Sequence, residues 1–442
     1  MKRSSLYDII LTVAAGGLQI FERTARRRHE HMIDMCKRLL RLKGEASAIS
    51  LAHQILTTYK ALSPRNRLEF FERLLTDFTP DTERLNKTIA AYQRDPNPGN
   101  IRALAAAAES PLQELFRMLN MGPDGTPAIV SMREELRGLL AANPHLKPVD
   151  GDMLHLLQSW FNRGFLQLER ISWKTPAFIL EKLITYEAVH EIRGWDDLHR
   201  RLADDRRCFA FFHPALPDEP LIFVEVALTR GLTGSIQEVL AGSIPAPDFQ
   251  FKPDAAIFYS INNCQPGLAG VSFGDFLIKQ VTDSLAEEIP SLKYYSTLSP
   301  IPGFRKWLSE QLAGDDATIS FSESDRALLS RLDEPTVYKD DLKPLLMHLC
   351  AFYLLNVKRG DGPRDPVARF HLRNGAILER INWLGDRSEK GLRESAGLLV
   401  NYLYDRKTVA RNHEVYVNNN EIVHSSAVEQ LLKKKRSNRE IS

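Results

Sequence analysis

Residues 255–289 read AAIFYSINNCQPGLAGVSFGDFLIKQVTDSLAEEI, and this stretch decides the fold class. The run 255–261 (AAIFYSI) is apolar and β-rich enough for a central strand. The segment 262–270 carries turn chemistry, and 271 to about 289 has the three-and-four apolar spacing of a helix. Gly267, Gly270 and Gly274 let the backbone approach a ligand, and the following helix offers its positive N-terminal end. This is the physics of a diphosphate cradle. The spacing is neither G-x-x-x-x-G-K-S/T nor G-x-G-x-x-G, and glycines at a strand-to-helix turn also serve as turn chemistry alone.

Further strands surround this unit. Residues 208–212 and 221–228 are short β-rich runs separated by the turn-rich segment 213–220, a hairpin pattern. A fourth strand-like run covers 294–298, and helices are expected at 342–357 and 390–404. Strands followed by helices, without long alternation, indicate an α+β domain. The first 185 residues read as helical throughout, with no strand-like alternation. Ile33, Cys36, Leu39 and Leu40, and then Phe70, Leu74, Leu75 and Phe78, recur at helical spacing. Ser63-Pro64 and Thr175-Pro176 place a hydroxyl at the N-cap and a proline at the first helical position. The expected organisation is an all-helical domain over 1–185 and a mixed-sheet domain over 186–442, joined near 190–202.

Composition narrows the function. Among 442 residues, 58 Lys and Arg balance 56 Asp and Glu for a net charge of +2, which gives no nucleic-acid or anionic-surface footprint. Cys36, Cys208, Cys264 and Cys350 form no C-x-x-C pair, so a reducing, cytoplasmic setting is the simplest expectation. Leu6 to Phe21 is apolar but interrupted by Asp8 and followed by Arg26-Arg27-Arg28. It reads as an amphipathic helix, neither a targeting nor a membrane segment. The run Lys433 to Arg436 suits a solvated helix end. His190-Glu191 begins like H-E-x-x-H, but Gly194 occupies the second ligand position, and His29 and His31 lack ligand partners. No metal is expected.

Two further segments could carry chemistry. Ser299 lies in STLSPIPGFRKW (296–307), where Pro300 and Pro302 stiffen a loop that follows a strand. Such a loop places a hydroxyl well, and serine before proline is also a common turn cap. His371 lies in RFHLRNGAILER (369–380), where Phe370, Leu372, Ala376 and Leu378 suggest extended structure on either side of an Asn-Gly turn.

Taken together, FYSI at 258–261, the glycine turn, TLSPIPGF at 297–304, HLRNGA at 371–376 and NYLY at 401–404 resemble the malonyl-CoA decarboxylase family. The resemblance covers most of 190–425. It implies a helical N-terminal domain used in self-association to a homo-oligomer, and a catalytic domain with the GNAT acetyltransferase fold. It implies malonyl-CoA and acetyl-CoA as substrate and product, no separate cofactor, and neither nucleic acid nor membrane as a partner. Catalytic positions carry over to Ser299 and His371, with Ser260 and Tyr404 supporting. Coenzyme A positions carry over to Gln265, Gly267, Leu268, Ala269, Gly270 and Gly274. The cradle departs from Arg/Gln-x-x-Gly-x-Gly/Ala by moving its first glycine, and Ser272 stands where relatives carry an acidic residue.

These residue types suit decarboxylation. Malonyl-CoA contains its own electron sink, because charge left on C2 delocalises into the thioester carbonyl. The protein need only orient the carboxylate, donate to the enolate oxygen and deliver a proton to C2. His371, whose charge can change near neutral pH, is the expected donor and acid. Ser299 would contact the carboxylate or relay a proton, and Tyr404 would orient one of them. An acyltransferase using the same cradle, and a non-catalytic acyl-CoA sensor, are the competing readings. Carbon dioxide release without an acceptor separates the first from decarboxylation, and absence of turnover would favour the second.

Overall fold

The computed structural model describes residues 31–241, 252–271, 277–314, 319–334, 338 and 341–433. The segment 6–21, Arg26–Arg28, His29, Ser272, Gly274 and residues 434–436 lie outside them. The described chain divides into two compact units. One holds the residues up to Phe165 together with His213–Pro217 and the turn 265–271, and the other holds most of the remainder.

The first unit is helical. After a helix over 31–39 come α1 (Glu45–Lys60), α2 (Pro64–Asp77), α3 (Thr82–Arg94), α4 (Pro98–Ala108), α5 (Pro111–Leu119), α6 (Gly125–Leu139) and α7 (Lys147–Trp160). Ser63 caps α2 as its sequence implies, its Oγ accepting from Asn66 N at 3.4 Å with Pro64 at the first turn. Leu39, Ile55, Phe70, Phe71, Phe116 and Met132 are fully buried in this core. None of the described helices is long and apolar enough to cross a membrane.

The second unit is built on a seven-stranded sheet. Its strands are β1 (Gln167–Ile171), β2 (Arg206–Phe212), β3 (Ile222–Thr229), β4 (Ala255–Asn263), β5 (Tyr294–Thr297), β6 (Ile377–Asn382) and β7 (Leu399–Leu403), in the order β1-β2-β3-β4-β5-β7-β6. Only β4 and β5 pair in parallel; the other neighbours are antiparallel. The parallel pair needs a crossover, and the helix α8 (Leu277–Glu288) supplies it. The expected α+β arrangement of a mixed sheet flanked by helices is therefore the one observed. The β2–β3 hairpin and the strands at 255–263 and 294–297 stand where the apolar runs put them. The β4–β5 ladder ends at Phe258 and Thr297, and β4 continues to Asn263.

Several local readings are corrected. Gln167–Ile171 is a strand inside the stretch read as helical, because it finds a sheet edge at β2. Thr175 does not cap the next helix: its Oγ1 accepts from Ser172 N at 3.0 Å, and Pro176 takes the cap position. Residues 390–404 are not one helix. The helix Glu389–Ser395 stops where Ala396 and Gly397 adopt positive φ of 51° and 74°, and 399–403 becomes β7.

The Asn374-Gly375 signal does not close a hairpin. Residues Pro366–Arg373 form a helix, N-capped by Asp365 with Pro366 at the first turn. Gly375, at φ +80°, ends it: Ala376 N donates to His371 O at 3.1 Å and Gly375 N to Leu372 O at 2.9 Å. Those two bonds are a Schellman motif, which wants the same left-handed glycine as a two-residue hairpin.

The turn at Gln265 is also shaped by packing. Pro266–Leu268 form a single 3₁₀ turn against α6. A Cβ on Gly267 would lie 2.0 Å from Val130 O, and Gly267 O accepts from the buried Arg133 Nη1 at 2.7 Å. We expect Gly267→Ala to cost about 1–3 kcal/mol of stability in denaturant titration, the usual scale of overpacking. An unchanged midpoint would show that the glycine is there for something other than this contact.

Candidate functional site

The strand β5 and the loop that follows it present Thr297 and Ser299 on the same side, since alternate residues share a face. Ser299 is fixed through its backbone, exchanging hydrogen bonds with Val400 of β7 at 2.8 and 2.9 Å. Its Oγ lies 2.8 Å from Thr297 Oγ1 and 3.0 Å from His371 Nε2. The other ring nitrogen, His371 Nδ1, lies 2.8 Å from Tyr404 Oη. Thr297, Ser299, His371 and Tyr404 thus form one hydrogen-bonded row, all buried.

His371 comes from the helix α10 (Pro366–Arg373), taking Leu342–Asn356 as α9. Its ring stacks on Tyr402 of β7, with centroids 4.6 Å apart and planes at 26°. The i, i+3, i+4 set Ala368, His371 and Leu372 is the buried face of α10. The imidazole thus occupies a core position, and helical spacing rather than strand alternation puts it there.

Ser299 and His371 both line a pocket of about 270 Å³ that opens beyond the end of the β4–β5 ladder. Its wall is mostly apolar, including Val224, Phe258, Leu277, Leu298 and Phe370, and among the described residues none that lines it is Asp, Glu, Lys or Arg. Burial in such surroundings disfavours a cation. It pushes the His371 imidazole down to about 3, and it raises the Tyr404 phenol well above its ordinary value. In the free protein burial thus works against the sequence expectation that His371 changes charge near neutral pH, and favours the neutral ring.

The other candidates lie elsewhere. Ser260 is buried in β4, but its Oγ donates to Glu187 Oε2 at 2.7 Å and accepts from Asn262 Nδ2 at 2.6 Å. It is not brought to the Ser299–His371 row. In the expected cradle, the N–H groups of Leu268, Ala269 and Val271 bond within the turn, to the carbonyls of Gln265, Pro266 and Leu268. Gly270 adopts φ +85°, and its carbonyl accepts from Gln158 Nε2 at 3.3 Å. Sequence reading missed Thr297, although its two-residue offset from Ser299 on a strand was the available signal. Among the described residues no group of three or more His, Cys, Asp or Glu is placed to hold a metal ion.

Comparison with known proteins agrees with this architecture. Residues 164–442 match the malonyl-CoA decarboxylase C-terminal domain family, and 78–161 match the malonyl-CoA decarboxylase N-terminal domain family. The mitochondrial malonyl-CoA decarboxylase of Anser anser anser is 40% identical over 347 residues, 72% of this chain and 68% of the goose protein. That of Mus musculus is 34% identical over 429 residues, 89% of this chain and 87% of the mouse protein. The crystal structure of malonyl-CoA decarboxylase from Rhodopseudomonas palustris superposes with a TM-score of 0.85 at 46% identity, covering 91% of this chain and 99% of that one. The Agrobacterium vitis structure gives 0.84 at 46% identity with the same coverage. With both halves matched and the likeness extending through nearly the whole chain, this protein belongs to the malonyl-CoA decarboxylase family of carboxy-lyases.

Proposed function

We propose that malonyl-CoA loses its carboxylate in the uncharged pocket at Ser299 and His371. The observation that carries this reading is the 3.0 Å contact between Ser299 Oγ and His371 Nε2 at the wall of an apolar cavity. The malonyl carboxylate holds its charge on two oxygens before reaction. As the C–C bond breaks, the electron pair spreads over C2 and the thioester oxygen while carbon dioxide leaves. Apolar walls disfavour the compact anion more than the dispersed one.

The carboxylate is also the counter-ion that the pocket lacks. An opposite charge within a few ångströms favours the protonated imidazole, so substrate and one proton enter together. The Ser299 hydroxyl turns from Thr297 Oγ1 to donate to the enolate oxygen. Tyr404 Oη accepts from Nδ1–H and fixes the ring. The imidazolium then passes its Nε2 proton to C2. Charge balances: one carboxylate anion and one proton become acetyl-CoA and carbon dioxide, and the ring returns to neutrality.

Ser260 supports this site at a distance in our reading, holding the end of β4 through Glu187 and Asn262. For the coenzyme A diphosphate we keep the segment from Gln265 to Gly274, on the strength of its place in the chain between β4 and α8. The N–H groups of Leu268, Ala269 and Val271 are already engaged and are not its donors. A reducing, cytoplasmic setting stays part of the proposal, supported by four buried cysteines, none of them in a disulfide. Self-association is assigned to the α3–α4 hairpin. No residue of α3 is buried, α4 buries only Ala107, and Ile101 is 51% exposed among the alanines of α4, so that helix face suits a second copy of the chain.

Two experiments follow. Ser299→Ala should lower kcat by about 10²- to 10⁴-fold with KM within about threefold, the scale of a lost donor. His371→Gln should lower kcat on the same scale and also weaken malonyl-CoA binding by about tenfold or more, since the ring's proton pairs with the carboxylate, while coenzyme A affinity is kept. Tyr404→Phe should lower kcat by about tenfold, since a single orienting hydrogen bond is lost. Matching losses in kcat and in coenzyme A affinity would assign these groups to binding instead. Light scattering coupled to size exclusion should show Ile101→Glu with a smaller assembly than the parent. An unchanged mass would remove the hairpin from the interface.

A further inference from the structure

Ser299 and His371 come from different elements, and the 3.0 Å between them must be set by something that ties the two together. One buried carboxylate reaches both. Asp365 Oδ1 accepts from Val367 N at 3.0 Å and Ala368 N at 2.9 Å, which caps the helix carrying His371. Its Oδ2 accepts from Gly303 N at 3.4 Å, four residues beyond Ser299 in the stiff Pro300–Pro302 loop. Asp365 is fully buried. A capping role needs only one oxygen, and serine or asparagine would serve it.

The loop end of this tie is closely fitted. A Cβ on Gly303 would collide with Tyr353 Oη and lie 3.6 Å from Asp365 Oδ2, so a larger residue here would have to displace the tyrosine hydroxyl. A second strut holds the same loop: Ile301 N donates to the buried Ser395 Oγ at 3.0 Å, at the end of α11 (Glu389–Ser395). The loop is thus held at two N–H groups, and one of the two acceptors belongs to the cap of the helix bearing the imidazole.

From this geometry we infer that Asp365 is a positioning residue for decarboxylation: its second carboxylate oxygen ties the Ser299 loop to the His371 helix and fixes the spacing of the hydroxyl and imidazole. The inference rests on the proposed roles of Ser299 and His371. Reacting groups displaced by about 1 Å lose on the order of 10²-fold in rate while substrate binding is kept.

The test is Asp365→Ser, because serine keeps a capping oxygen and is too short to reach Gly303. We expect a thermal midpoint close to the parent, KM within about threefold, and kcat lowered about 10- to 100-fold. Asp365→Glu, which keeps two oxygens, should recover more of kcat than Asp365→Ala does. In a Ser299→Ala background, Asp365→Ser should have little further effect, because the pair it aligns is already broken. Unchanged kcat in Asp365→Ser, with Ser299→Ala still crippled, overturns the positioning role and leaves the site reading intact. Full activity in Ser299→Ala overturns the site reading itself. Loss of stability in step with kcat across all three Asp365 variants assigns the residue to folding alone.

Discussion

A neutral imidazole held between two hydroxyls, in a pocket whose described lining carries no Asp, Glu, Lys or Arg, is the constraint on which the rest of the site depends. Burial holds His371 near a pKa of 3, and its two ring nitrogens are each met by an uncharged oxygen. A carboxylate or ammonium beside it would fix the ring's charge permanently. With neither present, the charge state answers to whatever anion enters. A substrate that brings one negative charge, keeps it on C2 as neutral carbon dioxide leaves and loses it to the imidazolium proton is matched to such a pocket, because both ends of the reaction leave it neutral.

The fold supplies this pocket by ending one ladder early. Parallel β4 and β5 stay paired only to Phe258 and Thr297. Beyond that point the chain after β5 bonds to β7 through Val400, while β4 runs on to Asn263. Apolar side chains from both sides line the space, and α10 brings His371 to it. Rigidity comes from the surroundings: two prolines in the serine loop, a capped helix with a Schellman end, and an imidazole stacked on Tyr402. A hydroxyl–imidazole pair on such supports depends less on loop motion than one carried by a mobile segment would.

Much of this was legible in the sequence. The apolar runs at 255–261 and 294–298 marked β4 and β5, and Ser299 stood out because prolines flank its loop. The partnership of Ser299 and His371 was legible only through family resemblance, since 72 residues separate them and no local spacing encodes their meeting. The element carrying His371 was misread, because Asn-Gly serves a helix terminator and a hairpin equally well. The break at Ala396 was missed because alanine gives no sign of a left-handed conformation. The neutrality of His371 was not legible either, for it comes from burial against residues distant in sequence. Gly267 looked like a ligand contact, and packing against α6 accounts for it as well.

The most direct test of the central claim is the number of protons taken up when a non-cleavable malonyl-CoA analogue binds, measured by calorimetry in buffers of different ionisation enthalpy. The account predicts uptake approaching one proton per site, with affinity weakening as pH rises. Acetyl-CoA, which lacks the carboxylate, should take up none, and neither should the His371→Gln protein with the analogue. Binding without proton uptake, or uptake that persists in His371→Gln, would contradict the account.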